Sequence, residues 1–100
     1  MVDSLYILME EIQTTVSVDQ NHIYLTGESS GGNGAWGIGL QHPEYFAALV
    51  PIMGYDGWPY IVPENICDLK GVPIWAFHGA KDEVMPIDAQ QILIDALEAC

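Results

Sequence analysis

One stretch constrains the fold of this chain more than any other, residues 23–32, which read Ile-Tyr-Leu-Thr-Gly-Glu-Ser-Ser-Gly-Gly. An apolar run leads into Gly27, and Gly27, Ser29 and Gly31 form a G-x-S-x-G pattern. This pattern is typical of a nucleophile elbow, a tight turn between a strand and a helix that holds a serine hydroxyl clear of the backbone. Glycines suit the turn because bulky side chains do not fit beside it. The stretch therefore predicts a strand–turn–helix unit with Ser29 at its tip.

The helix expected after this turn begins at Ser30 and ends before Pro43. The first amides of a helix have no acceptor within it, so we expect the Ser30 amide to face the site and to stabilise an oxyanion there. Each glycine in a helix interior costs about 1 kcal/mol relative to alanine. Residues 31–41 contain five of them, Gly31, Gly32, Gly34, Gly37 and Gly39. We therefore expect this helix either to pack closely on its sheet or to have special backbone geometry at its start.

The length and composition of the chain limit the classes of protein to which it can belong. One hundred residues make one domain at most, and 50% of them are hydrophobic, which suits a globular core. The net charge is −12 with only two basic residues, Lys70 and Lys81, so nucleic acid and anionic membranes are not expected as partners. No apolar run approaches the roughly 20 residues of a membrane span. Residues 1–12 lack the basic start of a signal peptide, and the compartment stays open.

The apolar periodicity along the rest of the chain predicts alternating helices and strands. We expect helices at 2–16, 31–41 and 89–99 and strands at 22–26, 47–53 and 73–78. Asp88 is the expected N-cap of the last helix, with Gln91 in capping-box position. Strands joined by long crossovers favour a parallel sheet in an α/β fold, where ligands bind beyond the carboxyl ends of the strands. Ser29 and Asp82 each follow a strand and therefore belong to the same rim.

Several features admit more than one interpretation. Cys67 and Cys100 could form a disulfide, but two free thiols is the favoured interpretation, and their spacing fits no metal site. The aromatic residues of the 54–71 loop, Tyr55, Trp58 and Tyr60, could line a substrate site or cover the core. Gly32, Gly34 and Gly37, with Asp56 further on, mimic a dinucleotide-binding pattern. That pattern should begin directly at the end of a strand, and here five residues lie between the strand and the first glycine. A nucleotide-binding module is therefore strongly disfavoured as an interpretation of these glycines.

Three stretches, residues 19–36, 42–52 and 72–86, resemble the strand–elbow–helix, the next strand and the acid loop of α/β-hydrolase fold serine esterases. More narrowly, they resemble the branch with dienelactone-hydrolase-like and polyhydroxybutyrate-depolymerase-like carboxylesterases and bacterial "predicted peptidases". The resemblance implies a three-layer α/β-hydrolase core with a mostly parallel sheet, present here in part as three parallel strands with flanking helices. It implies one partial domain over residues 1–100, with the nucleophile elbow around 27–31 and the acid loop at 79–86.

The resemblance also implies a chemistry. Ser29 would be the nucleophile and Asp82 the triad acid, the Ser30 amide would serve the oxyanion hole, and a small carboxylic ester would be hydrolysed through an acyl-enzyme without a cofactor or metal. The family's chain order is serine, acid, histidine, yet no histidine follows Asp82. The alternative is therefore a truncated, non-catalytic fragment that needs missing segments or a partner. His78 is the one local candidate base, although a packed histidine that braces the acid loop is favoured.

The strands themselves support the expectation of a central fragment. They are expected to be apolar on both faces, as in a buried parallel sheet. Such a sheet with two uncovered edges invites pairing with another chain, so self-association through the exposed edges is a further expectation.

Overall fold

A parallel sheet organises the fold, and its central strand carries the buried side chains Leu49 and Pro51. The computed structural model describes residues 2–100 of the chain. β1 (Tyr24–Glu28) pairs with β2 (Ala48–Ile52) along their whole length, with Leu25 opposite Leu49. On the other side of β2, residues 73–77 run parallel to it through the bridges Leu49–Ile74 and Ile52–Phe77. The predicted parallel order is confirmed, with β2 between its two neighbours.

The third predicted strand forms two bridges rather than a continuous ladder, and Pro51 explains the gap. The Leu49 amide donates to the Pro73 carbonyl, and the Met53 amide donates to the Phe77 carbonyl. The parallel ladder requires a further donor at position 51, between these two bonds. Proline has no N–H, so the ladder is interrupted there.

Three helices flank this sheet: α1 (Val2–Thr15), α2 (Ser30–Gln41) and α3 (Ile87–Glu98). Two short 3-10 helices, Pro43–Tyr45 and Ile66–Leu69, lie in the connections. The Tyr6 hydroxyl of α1 donates to the Ile38 carbonyl of α2 over 2.9 Å, which ties the first helix to the second. Among the helices of residues 2–100, none combines the length and the apolar character that crossing a bilayer requires.

The hydrophobic core lies between the helices and one face of the sheet. Leu49, at the centre of the sheet, is fully buried, as are Trp36 of α2 and Leu93 of α3. The buried cluster consists of Trp36, Leu40, Phe46, Leu49, Ile66, Leu69 and Leu93. It joins α2, α3, β2 and the second 3-10 helix, so the residues that follow the strands are held on a common frame.

The second face of the sheet is exposed on β1 and on residues 73–77, so the expectation of strands buried on both faces is wrong for these two strands. Tyr24 of β1 is 61% exposed, and Trp75 is 70% exposed. Side chains alternate between the faces of a strand, so Leu25 and Ile74 turn inward with Leu49 while their neighbours turn outward.

Two predicted boundaries need correction. β1 begins at Tyr24 and continues through Gly27 to Glu28, so the strand begins and ends two residues later than predicted. α3 begins at Ile87 with Pro86 at the N-cap position, so Asp88 is not the cap and the predicted capping box does not form. Asp88 lies instead in the first helical turn, where a carboxylate interacts favourably with the helix dipole.

The two cysteines form a disulfide, which corrects the favoured interpretation of free thiols. Cys67 lies in the second 3-10 helix and pairs with Cys100 after α3, with the two Cα atoms 5.8 Å apart. The bond ties the last residue of the chain back to the connection that follows β2. It therefore brackets residues 73–77, the acid loop and α3 within one covalent ring.

Candidate active site

Ser29 lies between β1 and α2 in a backbone conformation that few non-glycine residues adopt. Its φ is 57° and its ψ is −114°. Its amide donates to the Ile52 carbonyl over 3.0 Å, and its carbonyl accepts from the Asn33 amide over 3.0 Å. A strained backbone of this kind costs of order 1–3 kcal/mol and persists only where the surrounding structure holds it in place. Ser29 is exposed, so its hydroxyl is accessible at the tip of the turn.

The two glycines of the G-x-S-x-G pattern do not have equal roles. A Cβ atom on Gly27 would overlap the carbonyl of Gly31 and lie 2.9 Å from its Cα. A Cβ atom on Gly31 would meet no atom within 4 Å. The first glycine is therefore required by the close approach of strand and helix, whereas the second is not required by space.

Ser30 is the first residue of α2, as the sequence predicted. An amide at this position has no intrahelical acceptor, and the positive end of the helix dipole lies beside it. The backbone at the start of α2 therefore offers an N–H donor next to the Ser29 side chain.

Backbone contacts lock the first turn of α2 to the residues after β2. A Cβ atom on Gly32 would overlap the Ile52 carbonyl oxygen and lie 3.2 Å from the Gly54 Cα. The Asn33 side-chain oxygen accepts a hydrogen bond of 2.8 Å from the Tyr55 amide. The elbow is thus held from both sides, by β2 and by the loop that follows it.

Asp82 is oriented by the backbone of its own loop. Its Oδ1 accepts hydrogen bonds of 2.9 Å from the amides of Val84 and Met85. These bonds, the one from Met85 above all, outweigh the effect of burial and hold the pKa of the Asp82 carboxyl below its ordinary value of 3.8. The second oxygen, Oδ2, takes no part in these bonds and lies 3.9 Å from Nε2 of His78. The carboxylate is therefore ionised at neutral pH and keeps one oxygen for a further donor.

His78 braces this loop, and both of its ring nitrogens face partners other than Ser29. Its side chain is only 4% exposed. Nε2 donates to the Met85 carbonyl, and Nδ1 lies 3.4 Å from the side-chain nitrogen of Gln90. Both ring nitrogens are thus engaged by partners in the acid loop and α3 rather than by Ser29. The bracing role expected from the resemblance agrees with these contacts.

The remaining histidines lie away from the rim. His22 precedes β1, at the end of the strand opposite Ser29, and its Nδ1 lies 2.7 Å from Asp19. His42 follows α2, and its Nδ1 lies 3.3 Å from Glu44. Neither histidine is placed to act on Ser29.

Ser29 and Asp82 lie beyond the carboxyl ends of β1 and of residues 73–77, with β2 between them. Neighbouring strands are about 4.8 Å apart, so the two carboxyl ends are separated by about 10 Å across the rim. No group of three or more metal-ligating side chains occurs among residues 2–100.

The aromatic residues of the loop after β2 differ in whether they cover the core or face solvent. Tyr55 packs against the hydrophobic core. Trp58 is 70% exposed and Tyr60 is 52% exposed, and Tyr60 has a positive φ of 63°. Tyr55 therefore covers the core, and the other two rings are free to contact a ligand.

Sequence reasoning missed Gln90, the one buried polar side chain of the described core, at 3% exposed. A signal was available, because residues 90, 93, 94 and 97 recur at helical spacing and the other three are apolar. A glutamine within an apolar stripe must find hydrogen-bond partners in the interior. Gln90 finds them beside the acid loop.

The known proteins to which this chain is similar are described as esterases. No protein-family model matches the chain. A curated protein of Nocardia uniformis subsp. tsuyamanensis, named "Putative esterase NocK", is 28% identical over 87 residues, which are 87% of this chain and 24% of that protein. A crystal structure described as that of a thermostable esterase matches with a TM-score of 0.87 and 32% identity, over 96% of this chain and 24% of that one. The chain thus spans about a quarter of the length of these two proteins.

Proposed function

The chain carries an esterase-like part of the α/β-hydrolase fold, and from this premise we propose that it supplies the nucleophile and the acid of a serine hydrolase acting on carboxylic esters. Ser29 is the proposed nucleophile, Asp82 the proposed acid and the Ser30 amide one donor of the oxyanion hole. Elbow and acid loop belong to one partial domain in this proposal. The observation that carries it is the strained backbone of Ser29 on a strand–turn–helix unit, since strain at an exposed serine points to a functional constraint.

The chemistry follows from these positions. A histidine base takes the Ser29 proton while the oxygen attacks the ester carbonyl carbon, and the Ser30 amide donates to the oxyanion that forms. The intermediate collapses to an acyl-enzyme, and the alcohol leaves with the proton held by the histidine. Water then attacks the acyl-enzyme by the same steps and releases the acid. Asp82 Oδ2 would accept the other imidazole N–H and hold the ring in the required tautomer.

The proposed base is a histidine outside these 100 residues. His22 and His42 contact acidic side chains away from the rim, and His78 is held by the Met85 carbonyl and Gln90. The alternative is a truncated, non-catalytic fragment that needs missing segments or a partner, and the lack of a histidine after Asp82 supports it as well. Hydrolysis by the product of the complete reading frame separates the two.

The experiment is hydrolysis of p-nitrophenyl acetate by the protein expressed from its complete open reading frame. Ser29→Ala should lower turnover by about 10⁴-fold or more, and Asp82→Asn should lower it strongly. Ser4→Ala, at an exposed position of α1, is the matched control and should retain full turnover.

A second measurement identifies the nucleophile directly. Phenylmethylsulfonyl fluoride should add to the peptide that contains Ser29, as located by mass spectrometry, and should not add in the Ser29→Ala protein. Turnover that survives in the Ser29→Ala protein would overturn the assignment. Absence of hydrolysis by a folded wild-type protein would favour the non-catalytic alternative.

A further inference from the structure

Gln90 of α3 has its amide fully engaged in the interior. Its Oε1 accepts hydrogen bonds from the Trp36 indole over 3.1 Å and from the Gly54 amide over 3.2 Å. Its Nε2 donates to the Phe77 carbonyl over 2.9 Å and faces Nδ1 of His78 at 3.4 Å. Both lone pairs and both protons of the amide therefore have partners.

The surroundings allow only one orientation of this amide. An indole N–H and a backbone N–H can only donate, and a backbone carbonyl can only accept. If the amide were flipped, its NH₂ group would face the Trp36 and Gly54 donors, and its oxygen would face the Phe77 carbonyl. The NH₂ group must therefore face His78.

This orientation sets the tautomer of His78. A nitrogen that faces an NH₂ group must accept, so Nδ1 carries no proton. The proton of the neutral ring then lies on Nε2, which agrees with the hydrogen bond from Nε2 to the Met85 carbonyl. The ring is 4% exposed, so water does not compete for these positions.

The tautomer of His78 bears on Asp82 through Met85. The carbonyl of Met85 accepts from His78, and its amide donates to Oδ1 of Asp82. Nε2 of His78 lies 3.9 Å from Oδ2 of Asp82, too far for a hydrogen bond but close enough for a charged ring to attract it. A doubly protonated His78 would draw Oδ2 toward itself and occupy the oxygen that the base needs.

We propose that Gln90 is a positioning residue, which keeps His78 in the neutral Nε2–H tautomer so that the Met85 backbone holds Asp82 with Oδ2 free. The expected effect on turnover rests on the proposed function, whereas the tautomer of His78 does not depend on it. Gln90 thus acts from α3, a helix that contributes no residue to the proposed triad.

The tautomer is tested first, without reference to activity. Nitrogen-15 NMR of the histidine rings in the full-length protein distinguishes a protonated from an unprotonated ring nitrogen. We expect His78 to show a protonated Nε2 and an unprotonated Nδ1 at neutral pH. Gln90→Glu should protonate Nδ1 as well, because a carboxylate oxygen facing it must accept. A wild-type His78 with a protonated Nδ1 would overturn the proposal.

The consequence for Asp82 is tested by kinetics. Gln90→Glu and Gln90→Met should lower kcat by about 10²-fold, as expected for a misplaced catalytic group, with KM within about twofold of wild type. Gln91→Leu, the exposed neighbour on α3, is the control and should leave kcat unchanged. Wild-type kcat in folded Gln90→Met protein would overturn the positioning role.

Two further variants keep the proposal falsifiable if changes at Gln90 prevent folding. His78→Gln retains a donor for the Met85 carbonyl and cannot become charged, so it should keep kcat within about tenfold of wild type, whereas His78→Leu should lose about 10²-fold. Equal losses in both variants would contradict the proposal. If wild-type protein hydrolyses no ester, the proposed function fails while the NMR result still decides the tautomer.

Discussion

Gly32 and Gly54 meet backbone to backbone where the first turn of α2 passes the end of β2. A Cβ atom on Gly54 would lie 2.8 Å from the Gly32 Cα and 2.7 Å from the Asn33 nitrogen. Real Cβ atoms do not approach other atoms so closely. The contact sets the height of the Ser29 turn above the sheet, because the same carbonyl of Ile52 that touches Gly32 accepts the Ser29 amide.

The neighbouring glycines of α2 should respond in opposite ways to alanine. Gly32→Ala must displace the Ile52 carbonyl and should lower the free energy of unfolding by about 1–3 kcal/mol. Gly31→Ala meets no atom within 4 Å and should raise it by about 0.5–1 kcal/mol, since alanine is the better helix former. Urea denaturation of both variants beside wild type is the measurement. Similar changes in both variants would mean that the close approach does not constrain the helix.

Gly39 and Leu49 should be coupled. A Cβ atom on Gly39 would lie 2.9 Å from Cδ2 of Leu49, which is fully buried. Leu49→Ala should destabilise by about 2–5 kcal/mol and Gly39→Ala by about 1–3 kcal/mol. In the double variant the new methyl group enters space that leucine has left, so the loss should fall short of the sum by about 0.5–3 kcal/mol. A double-mutant cycle from denaturation curves measures this coupling, and strict additivity would refute it.

The Cys67–Cys100 disulfide should contribute substantially to stability. The two residues are 33 positions apart, and closing a loop of this length restricts the unfolded chain by about 3–4 kcal/mol. Reduction with dithiothreitol should therefore lower the Tm markedly. The double variant Cys67→Ser, Cys100→Ser should have the lower Tm from the start and should not respond to reductant. Two thiols titratable in the unreduced, denatured protein would show that the bond is absent.

Asp56 should make stability depend on pH in a direction opposite to Asp82. Burial beside α2 raises the pKa of the Asp56 carboxyl above its ordinary value of 3.8. The folded state therefore holds the proton more tightly than the unfolded state, and ionisation destabilises the fold as pH rises through this range. Asp56→Asn should raise the Tm at pH 7, and the gain should disappear below about pH 3, where the carboxyl is protonated in both states.

The matched control for this effect is Asp68→Asn, which makes the same change in net charge at an exposed position. Thermal unfolding of wild type and both variants from pH 3 to pH 7 is the measurement. If Asp56→Asn and Asp68→Asn shift the Tm equally at every pH, the burial of Asp56 has no energetic effect.

The sequence by itself determined the local unit at the centre of this protein. The order of strand, turn and helix and the start of α2 at Ser30 were predicted correctly, because glycine spacing and apolar runs act over a few residues. The parallel arrangement with β2 was predicted correctly from the long crossover between the two strands. The expectation that a glycine-rich α2 packs closely was also confirmed, at Gly32 and Gly39.

Only the tertiary structure decided what depends on distant residues. The break in the third strand requires Pro51 of β2, and the disulfide requires Cys67 and Cys100 to meet across 33 positions. Gln90 reaches Trp36 over 54 positions to complete the network behind His78. Each of these features depends on residues that meet only when the whole chain has folded, so no local sequence pattern specifies it. The Gln90 network forms because a buried polar group must find hydrogen-bond partners in the interior.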